Sequence, residues 1–313
     1  MQIIKSDSYC KELFANNSCI TVGTFDGVHL GHAEILRFLK SISIQNQLDS
    51  IVFTFSTHPR FVLNADADEL KILTTMDEKA QLLEDFGVDY LFVQDFSLEF
   101  SSLPAEKFIT DILIEKLKMK SLVIGHDHSF GKDRSGNFAL LSELSNKHGF
   151  SLIQIPAISS SGFNISSTKI RNTLAESDIQ MANEMLGYNY SFIGEVIKGN
   201  GIGRELGFPT ANLKLIDSQK ILPAPGVYII KAVYESKEYE GLINIGNRPT
   251  FDGSDIQIEA HLFDFNEVVY GKKLKIELLL FIRKEIKFNS REELVSQIRK
   301  DRDTAFKYFG RIC

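Results

Sequence analysis

The sequence predicts two packed domains, an α/β domain built on a parallel sheet and a smaller antiparallel β-domain that ends in a helix. With 313 residues and 43% hydrophobic composition, the chain has enough apolar material for two cores. Short β-rich apolar runs alternate with segments of helical period up to about residue 185. Beyond that point strands follow one another without helices between them. We therefore place the domains at residues 1–185 and 186–313.

The alternation in the first domain is typical of a Rossmann-like parallel sheet covered by helices. Such sheets bind their ligands at the carboxyl ends of the strands, so the loops after the strands are the expected location of a site. The strand and helix segments are, in order, "CITVG", "HAEILRFLKSI", "SIVFTF", "MDEKAQLLEDFG", "DYLFV", "AEKFITDILIEKLK", "SLVIG", "FALLSELSNKHG", "FSLIQIP" and "STKIRNTLAES".

The second domain has the pattern of a small antiparallel barrel or sandwich, because turns rich in Gly, Asn and Asp separate its strands. The last segment, "SREELVSQIRKDRDTAFKYF", has apolar residues at helical spacing, and Ser290 is placed to cap its first turn. We expect this helix to pack on the β-domain. Asn247 and Arg248 are interpreted as a tight turn before Pro249, and Arg283 is equally compatible with a solvated charge and with a role at a site. The strand segments are "FIGEVIKG", "GVYIIKAVYE", "EYEGLINIG", "QIEAHLFDF" and "KLKIELLLFIRK".

The composition argues against several classes of partner. A formal net charge of -6 supplies no basic face for nucleic acid or an anionic membrane, so any phosphate binding must be local. The three cysteines form neither a disulfide framework nor a close metal-ligand pair. The N-terminus lacks the apolar core of a secretory signal, and no run approaches the ~18 apolar residues of a membrane span. We therefore predict a cytoplasmic protein with no nucleic-acid or membrane partner.

The stretch "TVGTFDGVHLGHAEIL", from Thr21 to Leu36, places two histidines three residues apart at the predicted start of a helix. His29 and His32 would share one side of that helix end, where unpaired N–H groups and the positive end of the helix dipole also point. Two imidazoles added to such an anion site suit a polyphosphate. The chemistry that fits is nucleotidyl transfer from ATP, in which the enzyme positions the reactants and stabilises charge.

Two other interpretations of the histidine pair remain open on these residues alone. Histidines at a helix start are commonly solvent-facing polar residues, and a zinc-binding pair is a further option. Metalloprotease histidines stand four residues apart with a glutamate between them, whereas Leu30 and Gly31 lie between these two. The preceding loop favours phosphate, because its glycines let the backbone approach closely. We expect Gly23, Phe25 and Asp26 of this loop to bind ATP.

A second candidate site begins at "GEVIKGNGIGRELGFPTANL", from Gly194 to Leu213. Its glycines match neither the P-loop nor the dinucleotide-binding spacing, and taken alone such a loop is also an ordinary turn. Thr210 and Asn212 alternate along the extended segment that follows, so their oxygens point to the same side and suit Mg2+ that also binds ATP phosphates. The loop itself combines an open backbone with positive charge for ATP, at Lys198, Gly199, Gly201, Gly203 and Arg204.

The first site resembles a known family. "GTFDGVHLGH" is similar to the His-x-Gly-His signature of the nucleotidyltransferase superfamily, in the form carried by the bacterial bifunctional riboflavin kinase/FAD synthetases. "FTFSTHPR", "VIGHDHSFGKDRSGN" and "ISSTKIRNTL" resemble further segments of that family, although His128 stands where the family usually has an aromatic residue. "ISSTKIR" is also compatible with an ordinary N-cap cluster before a short helix. The resemblance implies that the triphosphate and nucleotide contact Asp127, Ser166, Ser167, Thr168 and Arg171.

The second site resembles the riboflavin kinase signature, and "GVYIIKAVY", "GLINIGNRPTF", "IEAHLFDF" and "VVYGKKLKIEL" follow in that family's order. The resemblance implies a six-stranded antiparallel flavin-binding barrel, with Thr210 and Asn212 on magnesium. It also implies that Glu259 takes the proton of the riboflavin 5′-hydroxyl. A positioned carboxylate suits that role, because phosphoryl transfer to an alcohol needs a nearby proton acceptor. His261 is placed either to orient Glu259 or to pack.

The resemblance covers nearly the whole chain and implies a two-step flavin cofactor synthase. The C-terminal domain would convert riboflavin and ATP to FMN, and the N-terminal nucleotidyltransferase domain would convert FMN and ATP to FAD and pyrophosphate. Mg2+ is the implied cofactor, and riboflavin, FMN, FAD and ATP are the implied small-molecule partners. The alternatives are a flavin-binding or storage protein that keeps the fold but has lost one or both activities, and an adenylyltransferase with a different acceptor.

Overall fold

The computed structural model describes residues 1–8, 16–63, 70–126, 130–131, 136–156, 159–160, 163–199, 201–250 and 253–311. The chain divides into two compact units, Met1–Ser167 and Thr168–Cys313. The helices at Ser167–Ala175 and Ile179–Leu186 therefore fall, apart from Ser167, in the second unit. The functional boundary at residue 185 stays a prediction. Within the described ranges, no helix is long and apolar enough to cross a membrane.

The first unit contains a six-stranded parallel sheet, as the sequence predicts. The strand order is β1-β4-β3-β2-β5-β6, and every neighbouring pair is parallel. The N-terminal edge strand was not predicted, because four residues are too few for a periodic pattern. The strands are Gln2–Lys5 (β1), Ser18–Val22 (β2), Asp49–Phe55 (β3), Tyr90–Gln94 (β4), Met119–Gly125 (β5) and Ser151–Ile155 (β6), with a short pair at Ser159–Ser160 (β7) and Phe163–Asn164 (β8).

Helices cover both faces of this sheet, and each face has its own buried apolar cluster. The segment that the sequence predicts as one helix after β4 becomes a short α-helical turn followed by a π-helix at Phe108–Lys116. A 3₁₀ turn at Ser6–Ser8 follows β1. The α-helices are Leu30–Asn46 (α1), Pro59–Leu63 (α2), Met76–Asp85 (α3), Leu98–Ser101 (α4), Ala105–Lys107 (α5) and Phe138–His148 (α6).

The second unit is a closed antiparallel barrel of six strands with order β10-β13-β12-β11-β14-β9, which resolves the predicted choice between barrel and sandwich. The alternation of buried and exposed residues along its strands follows from the pleat, which points successive side chains to opposite faces. The strands are Ser191–Ile197 (β9), Ala211–Leu215 (β10), Gly226–Tyr234 (β11), Lys237–Thr250 (β12), Gly253–Leu262 (β13) and Lys273–Arg283 (β14). The helices are Ser167–Ala175 (α7), Ile179–Leu186 (α8), Ile202–Glu205 (α9) and Arg291–Phe309 (α10).

Helix α10 begins where the sequence predicts. The Ser290 hydroxyl accepts the Glu293 N–H at 3.2 Å, and Ala305 packs into an apolar cluster with barrel residues such as Val227 and Leu242. The N-cap removes one of the unpaired donors that every helix start carries. The predicted packing of this helix on the barrel is confirmed.

In the barrel, one local prediction is wrong, and for Arg283 one of the two open alternatives is excluded. Asn247 and Arg248 do not form a turn; they continue β12, and their backbones pair with Ile256 and Asp255 on β13. Arg283 is no solvated charge, because its guanidinium makes a bidentate ion pair with the buried Asp301 of α10, at 3.0 and 2.7 Å. The two partners are 18 residues apart in the sequence, so the local sequence pattern around Arg283 does not predict the ion pair.

Candidate active sites

The loop between β2 and α1 has an unusual backbone. Phe25 and Val28 are buried side chains with φ of +48° and +35°, and Gly27 between them has φ of +83°. Positive φ in a residue with a side chain costs roughly 1–3 kcal/mol and is concentrated at functional sites. Gly23 anchors the loop to the sheet, because its N–H donates to the Phe53 carbonyl at 3.0 Å. The conformation keeps the loop close to the start of α1.

His29 is the N-cap residue of α1. Its Nδ1 accepts the His32 backbone N–H at 3.3 Å, so a neutral His29 ring carries its proton on Nε2. Gly31 makes room for this ring: a Cβ at that position would lie 3.1 Å from the His29 Cε1 and Nδ1 atoms. The glycine between the histidines therefore allows the imidazole to lie over the helix end.

The His29 and His32 rings are stacked, with centroids 3.7 Å apart and planes 11° from parallel. Burial lowers the pKa of His32 well below its ordinary value, and the nearby His29 and Lys79 charges lower it further. The His32 Nδ1 atom is buried and has no hydrogen-bond partner among the described residues. The structure thus brings together the two histidines that the sequence singles out, with His32 neutral in the absence of an anion.

Asp26 connects this loop to the segment before α3. Its buried carboxylate accepts the backbone N–H groups of Leu73, at 2.9 Å, and Thr74, at 3.0 Å, while the Gly27 N–H donates to the Thr74 hydroxyl at 3.0 Å. The carboxylate therefore organises backbone. A contact between Asp26 and ATP stays a prediction, and the loop N–H groups are the better candidates for phosphate.

Only the first part of the "ISSTKIR" segment belongs to the first unit, and one of its residues contacts this loop. The Ser167 hydroxyl donates to the Asp26 carbonyl at 2.8 Å, so Ser167 lies against the loop. Ser166 precedes it and is mostly exposed, whereas Thr168 and Arg171 belong to the second unit. Asp127 lies outside the described residues. The triphosphate roles of these residues stay predictions.

Sequence reasoning missed one residue near the first site. Lys79 lies on α3 and is only 7% exposed, and its Nζ donates to the Thr54 hydroxyl at 3.5 Å. The available signal was its position in the helix: Lys79 follows Met76 by three residues and precedes Leu83 by four, so it falls on the apolar stripe.

In the second unit, the glycine-rich loop packs directly on the predicted magnesium ligands. A Cβ on Gly199 would lie 2.0 Å from Asn212 Nδ2. A Cβ on Gly203 would lie 2.4 Å from the Phe208 carbonyl oxygen and 3.0 Å from Thr210 Oγ1. These glycines are therefore required by close approach rather than by an ordinary turn. Gly201 has φ of +74°, Lys198 is exposed, and the Arg204 side chain lies outside the described part of the structure.

Glu259 lies beside Asn212. The two residues are directly opposite in the β10–β13 pairing, and Asn244 is opposite Glu259 in the β12–β13 pairing. Opposite residues in antiparallel strands have Cβ atoms about 4.5–5.5 Å apart, so these side chains form one polar row across three strands. The alternation along β13 places its buried neighbours, Ile258 and Ala260, on the other face. Asn244 was not identified from the sequence.

Two side chains on β13, Gln257 and His261, flank Glu259 and make different contacts. Gln257 Nε2 donates to Glu259 Oε1 at 2.7 Å, so this amide orients the carboxylate. His261 Nδ1 instead donates to the Pro209 carbonyl at 2.8 Å and contacts the Phe208 ring edge-on. The His261 ring therefore holds the segment that carries Thr210.

The residues at this site fit Mg2+. Thr210 and Asn212 supply neutral oxygen donors, which are ligands that Mg2+ accepts when ATP phosphates and water complete its coordination. Gly199 and Gly203 bring the loop backbone into close contact with these two ligand residues. Among the described residues, no group of three or more His, Cys, Asp and Glu side chains could hold a metal by itself. Magnesium at this site stays a proposal.

The fold and the two sites define a class: a chain that joins an α/β nucleotidyltransferase-type domain to a six-stranded antiparallel barrel. Comparison with known families agrees with this. The FAD synthetase family model matches residues 11–169, and the riboflavin kinase family model matches residues 186–309. The chain belongs to the bifunctional riboflavin kinase/FMN adenylyltransferase family.

Similar proteins cover the whole length of the chain. The bifunctional riboflavin kinase/FMN adenylyltransferase of Buchnera aphidicola subsp. Schizaphis graminum is 38% identical and aligns over 100% of both chains. The enzyme of the same name from Haemophilus influenzae is 39% identical over 93% of this chain and 94% of its own. A solved structure from Streptococcus pneumoniae, titled a macrolide-efflux protein, is 31% identical, has a TM-score of 0.88, and covers 97% of this chain and 99% of its own.

Proposed function

We propose that this chain makes FAD from riboflavin in two steps. The barrel unit transfers the γ-phosphoryl group of ATP to riboflavin, giving FMN and ADP. The α/β unit then transfers AMP from a second ATP to FMN, giving FAD and pyrophosphate. The observation that carries the proposal is the match of both family models in one chain, in the order of the two domains.

In the first step, Glu259 acts as the general base. The proton of the riboflavin 5′-hydroxyl passes to the carboxylate, the bond from the 5′-oxygen to the γ-phosphorus forms, and the bond from that phosphorus to the bridging oxygen breaks. ADP is the leaving group. Gln257 occupies Oε1 of Glu259 at 2.7 Å, which leaves Oε2 to receive the proton.

Thr210 and Asn212 are the residues that would hold Mg2+ in this step. The bound ion would neutralise charge on the transferring phosphoryl group. His261 fixes the backbone just before Thr210, and Gly199 and Gly203 let the loop approach both ligand side chains. We assign Lys198, Gly201 and Arg204 to the same ATP site.

In the second step, a phosphate oxygen of FMN attacks the α-phosphorus of ATP. The bond to the β-phosphate breaks, and pyrophosphate leaves. His29 offers an Nε2–H donor, and His32 is neutral until an anion arrives. Together with the N–H groups at the start of α1, these rings stabilise charge on the phosphate oxygens as pyrophosphate departs. No protein nucleophile is required.

The other predicted ATP contacts of the second step are assigned to the same nucleotide. We assign Gly23, Phe25 and Asp26 to the same ATP site, because their loop leads to the histidine pair and the buried side chains of Phe25 and Val28 hold it in a positive-φ conformation. The Gly23 N–H is already bonded to the Phe53 carbonyl, so the backbone donors of Phe25 and Asp26 are the ones assigned to phosphate. Ser167 supports this assignment through its bond to the Asp26 carbonyl. The assigned triphosphate and nucleotide contacts of the following motifs are Asp127, Ser166, Ser167, Thr168 and Arg171.

Measuring the by-product of each step, ADP for the first and pyrophosphate for the second, tests this proposal. Purified protein is incubated with ATP and Mg2+ and either riboflavin or FMN, and ADP and pyrophosphate are measured. We expect ADP with riboflavin and pyrophosphate with FMN. Flavin that stays bound and unchanged, with neither product, would contradict both activities and support the storage-protein alternative. Pyrophosphate that appears only with a different phosphate ester would support the alternative acceptor.

A further inference from the structure

Lys79 is a buried lysine beside the phosphate-binding loop of the first unit, and neither reaction step described above uses it. Its side chain is only 7% exposed. It occupies the buried face of α3 together with Leu83, where an apolar residue would be expected. A buried cation is costly unless an anion pairs with it, so its presence requires an explanation.

The Lys79 ammonium is connected to the loop through one hydroxyl group. Its Nζ donates to Thr54 Oγ1 at 3.5 Å, and Thr54 Oγ1 donates to the Thr24 carbonyl at 3.2 Å. Thr24 lies between Gly23 and Phe25 in the loop that leads to the histidine pair. The Lys79 charge is therefore linked through Thr54 to the backbone of the loop that we assign to phosphate binding.

The charged groups that face Lys79 do not neutralise it by direct pairing. In the part of the chain that the structure describes, no carboxylate forms an ion pair with its ammonium. Asp26, in the loop after β2, acts on it by charge, but the Asp26 oxygens accept N–H groups from the segment before α3. On the same helix, the Glu78 carboxylate accepts the Thr75 backbone N–H in the capping box. On α1, His32 can add positive charge but not remove it.

We propose that Lys79 is the buried cation of the adenylyl-transfer site, which attracts the ATP polyphosphate through the loop without touching it. This proposal rests on the proposed function of the first unit. Lys79 is a positioning residue, because the loop backbone separates it from the substrate. A unit charge roughly 8 Å from a phosphate, at an effective dielectric constant of about 20, should change ATP affinity about ten-fold once salt screening is included.

The protonation of Lys79 makes this effect depend on pH. Burial lowers the pKa of Lys79 from its ordinary value to about 8, and the Asp26 charge opposes that shift. Below pH 8 the free protein carries the charge and attracts ATP. As the pH rises through 8 the charge is lost, and affinity should fall. Because ATP stabilises the charged form, its binding should also take up protons between pH 8 and 9.

Calorimetric titration of the full chain with ATP, without flavin, tests this between pH 7 and 9.5. The chain has two proposed ATP sites, so two binding events are expected in the titration. The event that belongs to the first unit is the one that is lost in the His29→Ala/His32→Ala variant. At pH 7 we expect about ten-fold weaker binding for Lys79→Met, and we expect the wild type to converge on that variant by pH 9.5. Lys40→Met is the matched control, because Lys40 pairs with Asp89 on the same unit and should bind ATP like the wild type.

Thermal unfolding separates this role from a structural one. Removing an unpaired buried cation should leave the unfolding temperature of Lys79→Met unchanged or raise it. Equal ATP binding by wild type and Lys79→Met at pH 7, parallel pH profiles without convergence, or a lower unfolding temperature for the variant would each overturn the proposal. Binding requires no chemistry, so these outcomes are distinct from a failure to form FAD, which would overturn the proposed function instead.

Discussion

The imidazole rings of His29 and His32 lie face to face at the start of α1, with centroids 3.7 Å apart. Two imidazolium charges at that distance would repel strongly in a buried setting. His29 caps the helix while His32 stays neutral. A polyphosphate bound at this pair, as we propose, would favour the charged form of His32.

Replacing both histidines should separate the two activities. We expect the His29→Ala/His32→Ala protein to form FAD from FMN at least about 10²-fold more slowly, because charge-stabilising donors at a reacting phosphate contribute at that level. FMN formation from riboflavin should remain within about two-fold of the wild type, and the parent protein is the control for both assays. A parallel loss of both activities in folded protein would contradict the assignment of separate sites.

Glu259→Gln should have the reverse effect. The substitution keeps the shape and removes the proton acceptor, so FMN formation should fall about 10²–10⁴-fold. FAD formation from supplied FMN should be unchanged. Glu277→Gln is the matched control, because Glu277 pairs with Lys275 on another strand of the same barrel. Retained FMN formation in Glu259→Gln would remove Glu259 from the role of base.

Gly203→Ala tests the close packing of the loop on the magnesium ligands. The added methyl group would lie 2.4 Å from the Phe208 carbonyl oxygen, so either the loop or the Thr210 segment must move. We expect kinase activity to fall at least about ten-fold, since small displacements of positioning groups have large effects. In Gly271→Asn, the new side chain meets open space at φ of +72° and should leave activity intact. Equal activity of the two variants would mean that the loop is not held against Thr210.

The ion pair between Arg283 and Asp301 should stabilise the barrel unit. Asp301→Leu leaves the partly buried guanidinium of Arg283 without its partner, which should cost up to about 3–5 kcal/mol. Lys231→Met removes an exposed pair with Glu238 and should cost less than about 1 kcal/mol. Urea denaturation followed by circular dichroism measures both. The double variant Arg283→Met/Asp301→Leu should regain stability; if it were no more stable than Asp301→Leu, the unpaired charge would not be the cause.

The elements of the fold were largely predictable because their signals are local. Alternating apolar runs and helical periods identified the parallel sheet, and Ser290 identified the start of α10. The errors arose where distant contacts decide the structure. Asn247 and Arg248 have turn composition, but pairing with β13 keeps them extended. The ion pair of Arg283 is formed only when α10 packs on the barrel.

The candidate sites were predictable to the level of motifs but not of contacts. The sequence identified His29, His32 and Glu259, but it did not show that Asp26 turns its carboxylate to the segment before α3. Gln257 was missed because no spacing rule marks an amide two residues from a base. Lys79 was visible as a charge on an apolar stripe, although its proximity to the loop through Thr54 required the fold.

A time course shows whether one chain performs both steps in sequence. Purified protein is incubated with riboflavin, ATP and Mg2+, and the flavins are separated chromatographically. We expect FMN to rise first and FAD to follow as FMN is consumed. FMN alone would contradict the assignment of the α/β unit, and bound riboflavin that never changes would contradict both activities.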